Sequence, residues 1–318
     1  MFNFSKYNKL PISGHKDICF VDVPVETDIK LFLDPGLIEA GTDQFSRQCA
    51  EVVKSFFDAV FNCCLEKDYI RLASLLNHSA EPNETHLGHS VLHSQGRGAS
   101  VNILFTVFQG MIKQGLFETG AILHPCDILV LAPNFDKDRM SDLLTNILRE
   151  QLQKFTAKEC LKLGIPMSEM RDAWSWDLDK MQWKKNKLLF PAAYGQPVML
   201  VPKQFVCNNY HFDTSSYISK YLLEYRQKYH LDNHTGLCYE RELKDGRTKL
   251  MPPTKEVLKT KELVGISWKQ HASGFAYSNP DTMRQFGVER ENIYANGSFF
   301  MTDTELDHIL YSEKYRTA

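Results

Sequence analysis

Between Asp43 and Leu65, apolar side chains recur every three or four residues, at Phe45, Cys49, Val52, Val53, Phe56, Phe57, Val60, Phe61 and Cys64. That spacing predicts a long helix, and its apolar stripe is broad enough to set one side in the main core. Asp43 is a residue type that caps a helix start, and a second helix, Tyr69 to Leu76, follows after Lys67-Asp68. A chain of 318 residues with 43% hydrophobic and 24% charged residues can bury such a core in one large domain or two ordinary ones.

The remaining segments read as shorter elements. Asp17 to Val23 and Lys30 to Leu33 are β-like runs around Pro24 and suggest a small hairpin. Asp127 to Ala132 reads as a strand ended by Pro133, and Arg139 to Phe155 as a helix with Leu143, Leu144, Ile147, Leu148 and Leu152 turned inward. Lys187 to Pro191 and Pro197 to Val201 read as strands joined through Ala192-Ala193-Tyr194-Gly195-Gln196. The stretch from Arg171 to Lys187, with Trp174, Trp176 and Trp183 among charges, has no clear assignment. Asp213 to Tyr229, Lys255 to Lys261 and Asp303 to Tyr315 read as helices. The expectation is an α+β fold: a small mixed or antiparallel sheet from 127–132, 187–191 and 197–201, packed by helices. A core domain over 1–210 precedes a mainly helical C-terminal region over 211–318.

Composition narrows the class of function. A formal net charge of -2 gives no global attraction to nucleic acid or anionic lipid, so any phosphate contact must come from a local basic patch. No run approaches the ~20 apolar residues that span a bilayer, and no signal peptide opens the sequence, so the expectation is a cytoplasmic protein without membrane partners. The eight cysteines form no Cys-x-x-Cys pair and sit mostly in apolar segments, which suits reduced, buried thiols.

Residues able to do chemistry gather from Glu84 to Asn146. Asp138, Asp142 and Asn146 are spaced four apart, so on a helix they share one face, and two carboxylates plus an amide suit a hard cation such as Mg2+ or Mn2+. Glu84 is a candidate general base or third ligand that would close on this face. The Gly96-Arg97-Gly98 run before an apolar helix, with Arg139 and Asn146, is a candidate phosphate- or substrate-binding set. The plain alternative is that Asp136 and Asp138 cap a helix while the Gly/Arg run is a surface loop.

Other templates match in part or not at all. His86, His89 and His93 lack the two-histidine helix motif, and no Gly-x-Ser-x-Gly elbow supports Ser90, Ser94, Ser100 or Ser141 as nucleophiles. Val201-Pro202-Lys203 offers the lysine of a restriction-endonuclease motif without its acid. Glu84 with Asp136-Lys137-Asp138 has the residue types of a Toprim site but no strand before Glu84.

Leu31-Phe32-Leu33-Asp34-Pro35, Asn83-Glu84-x-x-Leu87-Gly88-x-Ser90 and Asp138-Arg139-x-Ser141-Asp142-x-x-x-Asn146 resemble uncharacterised bacterial proteins found among phage-defence genes, over residues 30–210. The resemblance implies an intracellular defence role with a protein partner from the same operon. Together with the acids, it leads to two expectations. One is a metal-dependent nuclease or other phosphate-ester-cleaving enzyme; the other is a non-catalytic nucleic-acid- or protein-binding component of a multi-subunit complex.

Overall fold

The structure, a computed structural model, describes residues 2–78, 82–88, 97–297 and 299–311, with the backbone alone for 97–101. Its helices are α1 (Phe4–Tyr7), α2 (Pro35–Ala40), α3 (Gln44–Glu66), α4 (Tyr69–Leu76), α5 (Arg97–Lys113), α6 (Pro125–Leu131), α7 (Lys137–Ile147) and α8 (Arg149–Leu163). Beyond them lie α9 (Thr214–Tyr217), α10 (Leu223–Asp232), α11 (Lys255–Lys261), α12 (Trp268–Ser278), α13 (Pro280–Ala295) and α14 (Asp303–Tyr311). Among the described residues the strands form antiparallel pairs: β1 (Phe32–Leu33) with β6 (Val206–Cys207), and β2 (Glu169–Asp177) with β3 (Gln182–Phe190). The others are β4 (Ala192–Ala193) with β5 (Gln196–Pro197), and β7 (Tyr239–Glu242) with β8 (Thr248–Met251). The fold is α+β, with small antiparallel sheets and a largely helical C-terminal part. No helix among the described residues is long and apolar enough to cross a membrane.

The long helix forms as its periodicity requires. Asp43 caps α3 by accepting from the amides of Phe45 and Ser46, and Cys49, Val52, Val53, Phe56, Phe57, Val60 and Cys64 are buried. α4 begins and ends where the sequence places it.

Three expectations need correction. Residues 127–132 are not a strand, because Pro125 takes the first turn of a helix and His124 caps it by accepting from the Cys126 amide. Asp127 completes the cap by accepting from the amides of Leu123 and His124, at 3.0 and 2.8 Å. All seven residues of α6 are buried, so an unbroken apolar run here marks a helix enclosed on every side. The three segments expected in one sheet are therefore separate: β3 pairs with the tryptophan-rich β2, and β5 reaches only Pro197. The tight turn at Tyr194 and Gly195, both at positive φ, does join a hairpin there, as its residues suggest.

The N-terminal hairpin is also absent. Phe32 and Leu33 pair with Cys207 and Val206, while the Val21 amide bonds to the Val201 carbonyl at 2.9 Å. Lastly, the helix expected over 139–155 is two helices, broken at Leu148, where φ is -89° and ψ is 5°.

The chain forms two compact units: Met1–Gln109, Phe135–Tyr210 and Arg290–Ala318 make the first, and Gly110–Asn134 with His211–Glu289 the second. In the first, Trp176 and Trp183 of the β2–β3 hairpin pack edgewise on Phe56 of α3, with centroids 5.1 and 5.6 Å away. The C-terminal end of the chain returns to this unit through polar contacts to buried groups. Tyr294 donates to Asp34, Tyr311 donates to Asp22, and Asp307 meets His15 Nδ1, at 2.6, 2.7 and 2.6 Å. In the second unit α6 packs with α9 and α12. There Thr214 donates to the Val130 carbonyl, and buried Tyr217 bonds Thr282 while its ring meets Phe286.

Candidate functional site

The site lies in the first unit, where residues 84–88 are laid along α7. Backbone bonds fix that segment: Ile29 N to His86 O and Gly88 N to Ile29 O, both 2.9 Å, and Met199 N to Glu84 O, 2.6 Å. His86 takes a left-handed conformation, φ 53°, which turns the chain between the two ends; its ring faces Asp28 at 3.9 Å.

Asp136 caps α7 by accepting from the Arg139 amide at 3.1 Å, and Asp138 follows one turn before Asp142. At the start of α7, the α-carbon of Gly88, φ 134°, approaches so closely that a Cβ would stand 3.0 Å from Asp138 Oδ1. At the far end, Arg149 donates from Nη1 to Glu84 Oε1 at 2.9 Å and from Nη2 to Asn146 Oδ1 at 2.8 Å. Asn146 in turn donates from Nδ2 to the Asp142 carbonyl at 2.8 Å. The segment therefore runs against the helix direction, Gly88 at Asp138 and Glu84 at Asn146.

Arg149 is the residue that the sequence does not reveal. It opens α8 just after the break at Leu148, is 7% exposed, and is held by both Glu84 and Asn146. Its Nε is buried and has no hydrogen-bond partner among the described residues. A buried guanidinium needs a carboxylate beside it, and Glu84 supplies that charge. Arg139, by contrast, is partly exposed and stands 3.7 Å from Asp136. Ser141 is buried, and its Oγ accepts from the Leu33 amide at 3.0 Å.

The three stretches of sequence singled out above thus meet on one helix. Leu33 of the first bonds Ser141, Gly88 of the second abuts Asp138, and Glu84 reaches Asn146 through Arg149. Gly96, together with His89, Ser90, His93 and Ser94, lies outside the described residues, while Arg97 and Gly98 form the first turn of α5.

Among the described residues no group of three or more His, Cys, Asp or Glu side chains is placed to hold a metal ion. Mg2+ asks less of a protein, taking one or two carboxylates and filling its other positions with waters and substrate phosphates. Asp138 and Asp142 stand one helical turn apart on α7, and Glu84 is paired with Arg149.

A family model described as a domain of unknown function (DUF8370) matches residues 10–213. No curated protein and no solved structure matches the chain.

Proposed function

The chain belongs to the DUF8370 family, and we propose that it is an intracellular bacterial defence protein that cleaves phosphate esters of a nucleic acid or nucleotide at the α7 site. The observation that carries this reading is that the Glu84–Gly88 segment meets α7 from elsewhere in the sequence, with Gly88 beside Asp138 and Glu84 joined to Asn146 through buried Arg149.

In this reading Asp138 and Asp142 are the reacting acids and would hold Mg2+ or Mn2+. Such an ion, when bound, neutralises phosphate charge and acidifies a bound water. Glu84 is a positioning residue in this reading, because its Oε1 accepts from Arg149 and holds that guanidinium. Arg149 supplies fixed positive charge at the Asn146 end of α7, and Asn146 holds one edge of its guanidinium.

One observation favours a second reading. Both Nη groups of Arg149 are spent on protein partners, as in a structural latch, and that suits a non-catalytic nucleic-acid- or protein-binding component of a multi-subunit defence complex. The test is to incubate the purified full chain, with and without the product of a neighbouring operon gene, with DNA, RNA and nucleotides plus Mg2+ or Mn2+. Turnover supports the enzyme; none under any of these conditions supports the binding component.

A further inference from the structure

The β2–β3 hairpin carries an aromatic face that is buried at one end and open at the other. Its register sets Trp176 opposite Trp183, Trp174 opposite Lys185 and Asp172 opposite Lys187, and the period of two places all six on one face. Toward the turn, Trp176 and Trp183 are packed on Phe56, and their indole N–H groups donate to Ser55 Oγ and the Leu75 carbonyl. Those two tryptophans have structural employment.

Trp174 differs. It is 39% exposed, and among the described residues no hydrogen bond holds its indole N–H. The His78 ring stacks on it at 4.1 Å with an interplanar angle of 22°, and Trp183 meets that histidine edgewise at 5.2 Å. Burial lowers the pKa of His78, so the ring beneath Trp174 is neutral at physiological pH. With one face of the indole covered by His78, the exposure falls on the opposite face and the edges.

Cations border this open face. Lys185 lies directly across from Trp174 and pairs with Asp172 at 2.9 Å, and exposed Lys187 has no ion pair within 4 Å among the described residues. Two ammonium groups therefore flank a single carboxylate. A bare aromatic face bordered by a surplus of lysine suits an anionic ligand with π faces of its own. In a duplex those faces are already stacked, so only an unpaired strand offers them.

We propose that this face is a stacking platform for the bases of single-stranded nucleic acid, with Trp174 as the stacking surface and Lys185 and Lys187 as phosphate contacts. It depends on nothing in the chemistry assigned to Asp138 and Asp142.

The experiment titrates the full chain with short single-stranded DNA and RNA oligonucleotides and with the matching duplexes, following tryptophan quenching and anisotropy. Single strands are expected to bind more tightly than duplex. Trp174→Ala should weaken binding at least about five-fold, the lower end of what one stacked base contributes, whereas Trp174→Phe should keep most of it. Two phosphate contacts give a log–log salt slope near -1.4, which Lys185→Glu with Lys187→Glu should abolish. All titrations are run in EDTA without Mg2+ or Mn2+, which separates this surface from the proposed hydrolytic site. No binding by the parent chain, equal affinity for duplex, or full affinity in Trp174→Ala overturns the proposal. So does a protein partner that Trp174→Ala releases while oligonucleotides never bind, since the face then belongs to a protein contact.

Discussion

The hydroxyl of Tyr294 donates a 2.6 Å hydrogen bond to the carboxylate of Asp34, 260 residues earlier. Asp34 is buried, caps α2 by accepting from the Gly36 amide at 2.8 Å, and has the Cys207 thiol at 3.8 Å. The approach needs a bare α-carbon at Gly36, where a Cβ would stand 2.8 Å from the tyrosine ring. Tyr294→Phe removes one donor and leaves a buried carboxylate short of a partner. The expected loss is about 1–3 kcal/mol in urea unfolding; an unchanged midpoint would show that this contact adds nothing to stability.

The same carboxylate makes stability depend on pH. Burial raises the Asp34 pKa above its ordinary value of 3.8, even though Tyr294 and the backbone amides oppose the shift. Between the two values the folded chain keeps a proton that the unfolded chain has lost, so the contribution is complete below pH 3.8 and disappears as pH rises through the folded value. The stability difference between the parent and Asp34→Asn should therefore change over that interval, with the parent losing ground as pH rises. A difference independent of pH contradicts this.

Arg149 and Glu84 form a largely buried pair, their side chains 8% and 19% exposed. Arg149→Met strands the carboxylate and is expected to destabilise the fold by about 3–5 kcal/mol. Glu84→Gln, which can still accept a hydrogen bond, should be milder. A double-mutant cycle by urea unfolding measures the coupling, and a value indistinguishable from zero would remove Arg149 from the role given to it here.

The recognisable parts of the fold were those written in local periodicity and capping, such as Asp43 with the stripe of α3. Residues 127–132 misled because a buried helix and a buried strand present the same unbroken apolar run, and only His124-Pro125 ahead of it distinguishes them. The hairpin around the tryptophans was obscured for a different reason. Its outer half carries charge on both faces, so strict alternation is lost, while its aromatic contacts to Phe56 come from far away in sequence. At the site, the four-residue spacing of Asp138, Asp142 and Asn146 placed them on one helix face. Nothing local marked Arg149, whose importance arises only when α7 breaks at Leu148 and Glu84 arrives from another segment.

Gly88 tests how closely the 84–88 segment must lie on α7. Gly88→Ala adds a Cβ 3.0 Å from Asp138 Oδ1 at a φ of 134°, a backbone region other residues rarely adopt. A loss of about 1–3 kcal/mol is expected, together with reduced turnover if Asp138 is displaced. Parent-like stability and activity would mean that the approach is loose.

The most direct measurement compares phosphoester turnover and thermal unfolding of the parent chain and Asp142→Ala, with Mg2+ or Mn2+. Asn146 bonds the backbone carbonyl of residue 142, so the substitution keeps that contact and, through it, the setting of Arg149. The expected result is abolished turnover with the melting temperature within about 4 °C of the parent, a stability change of no more than about 1 kcal/mol. Turnover that survives in Asp142→Ala, or a loss of turnover that merely follows a large fall in melting temperature, would contradict the assignment of Asp142 to the reaction.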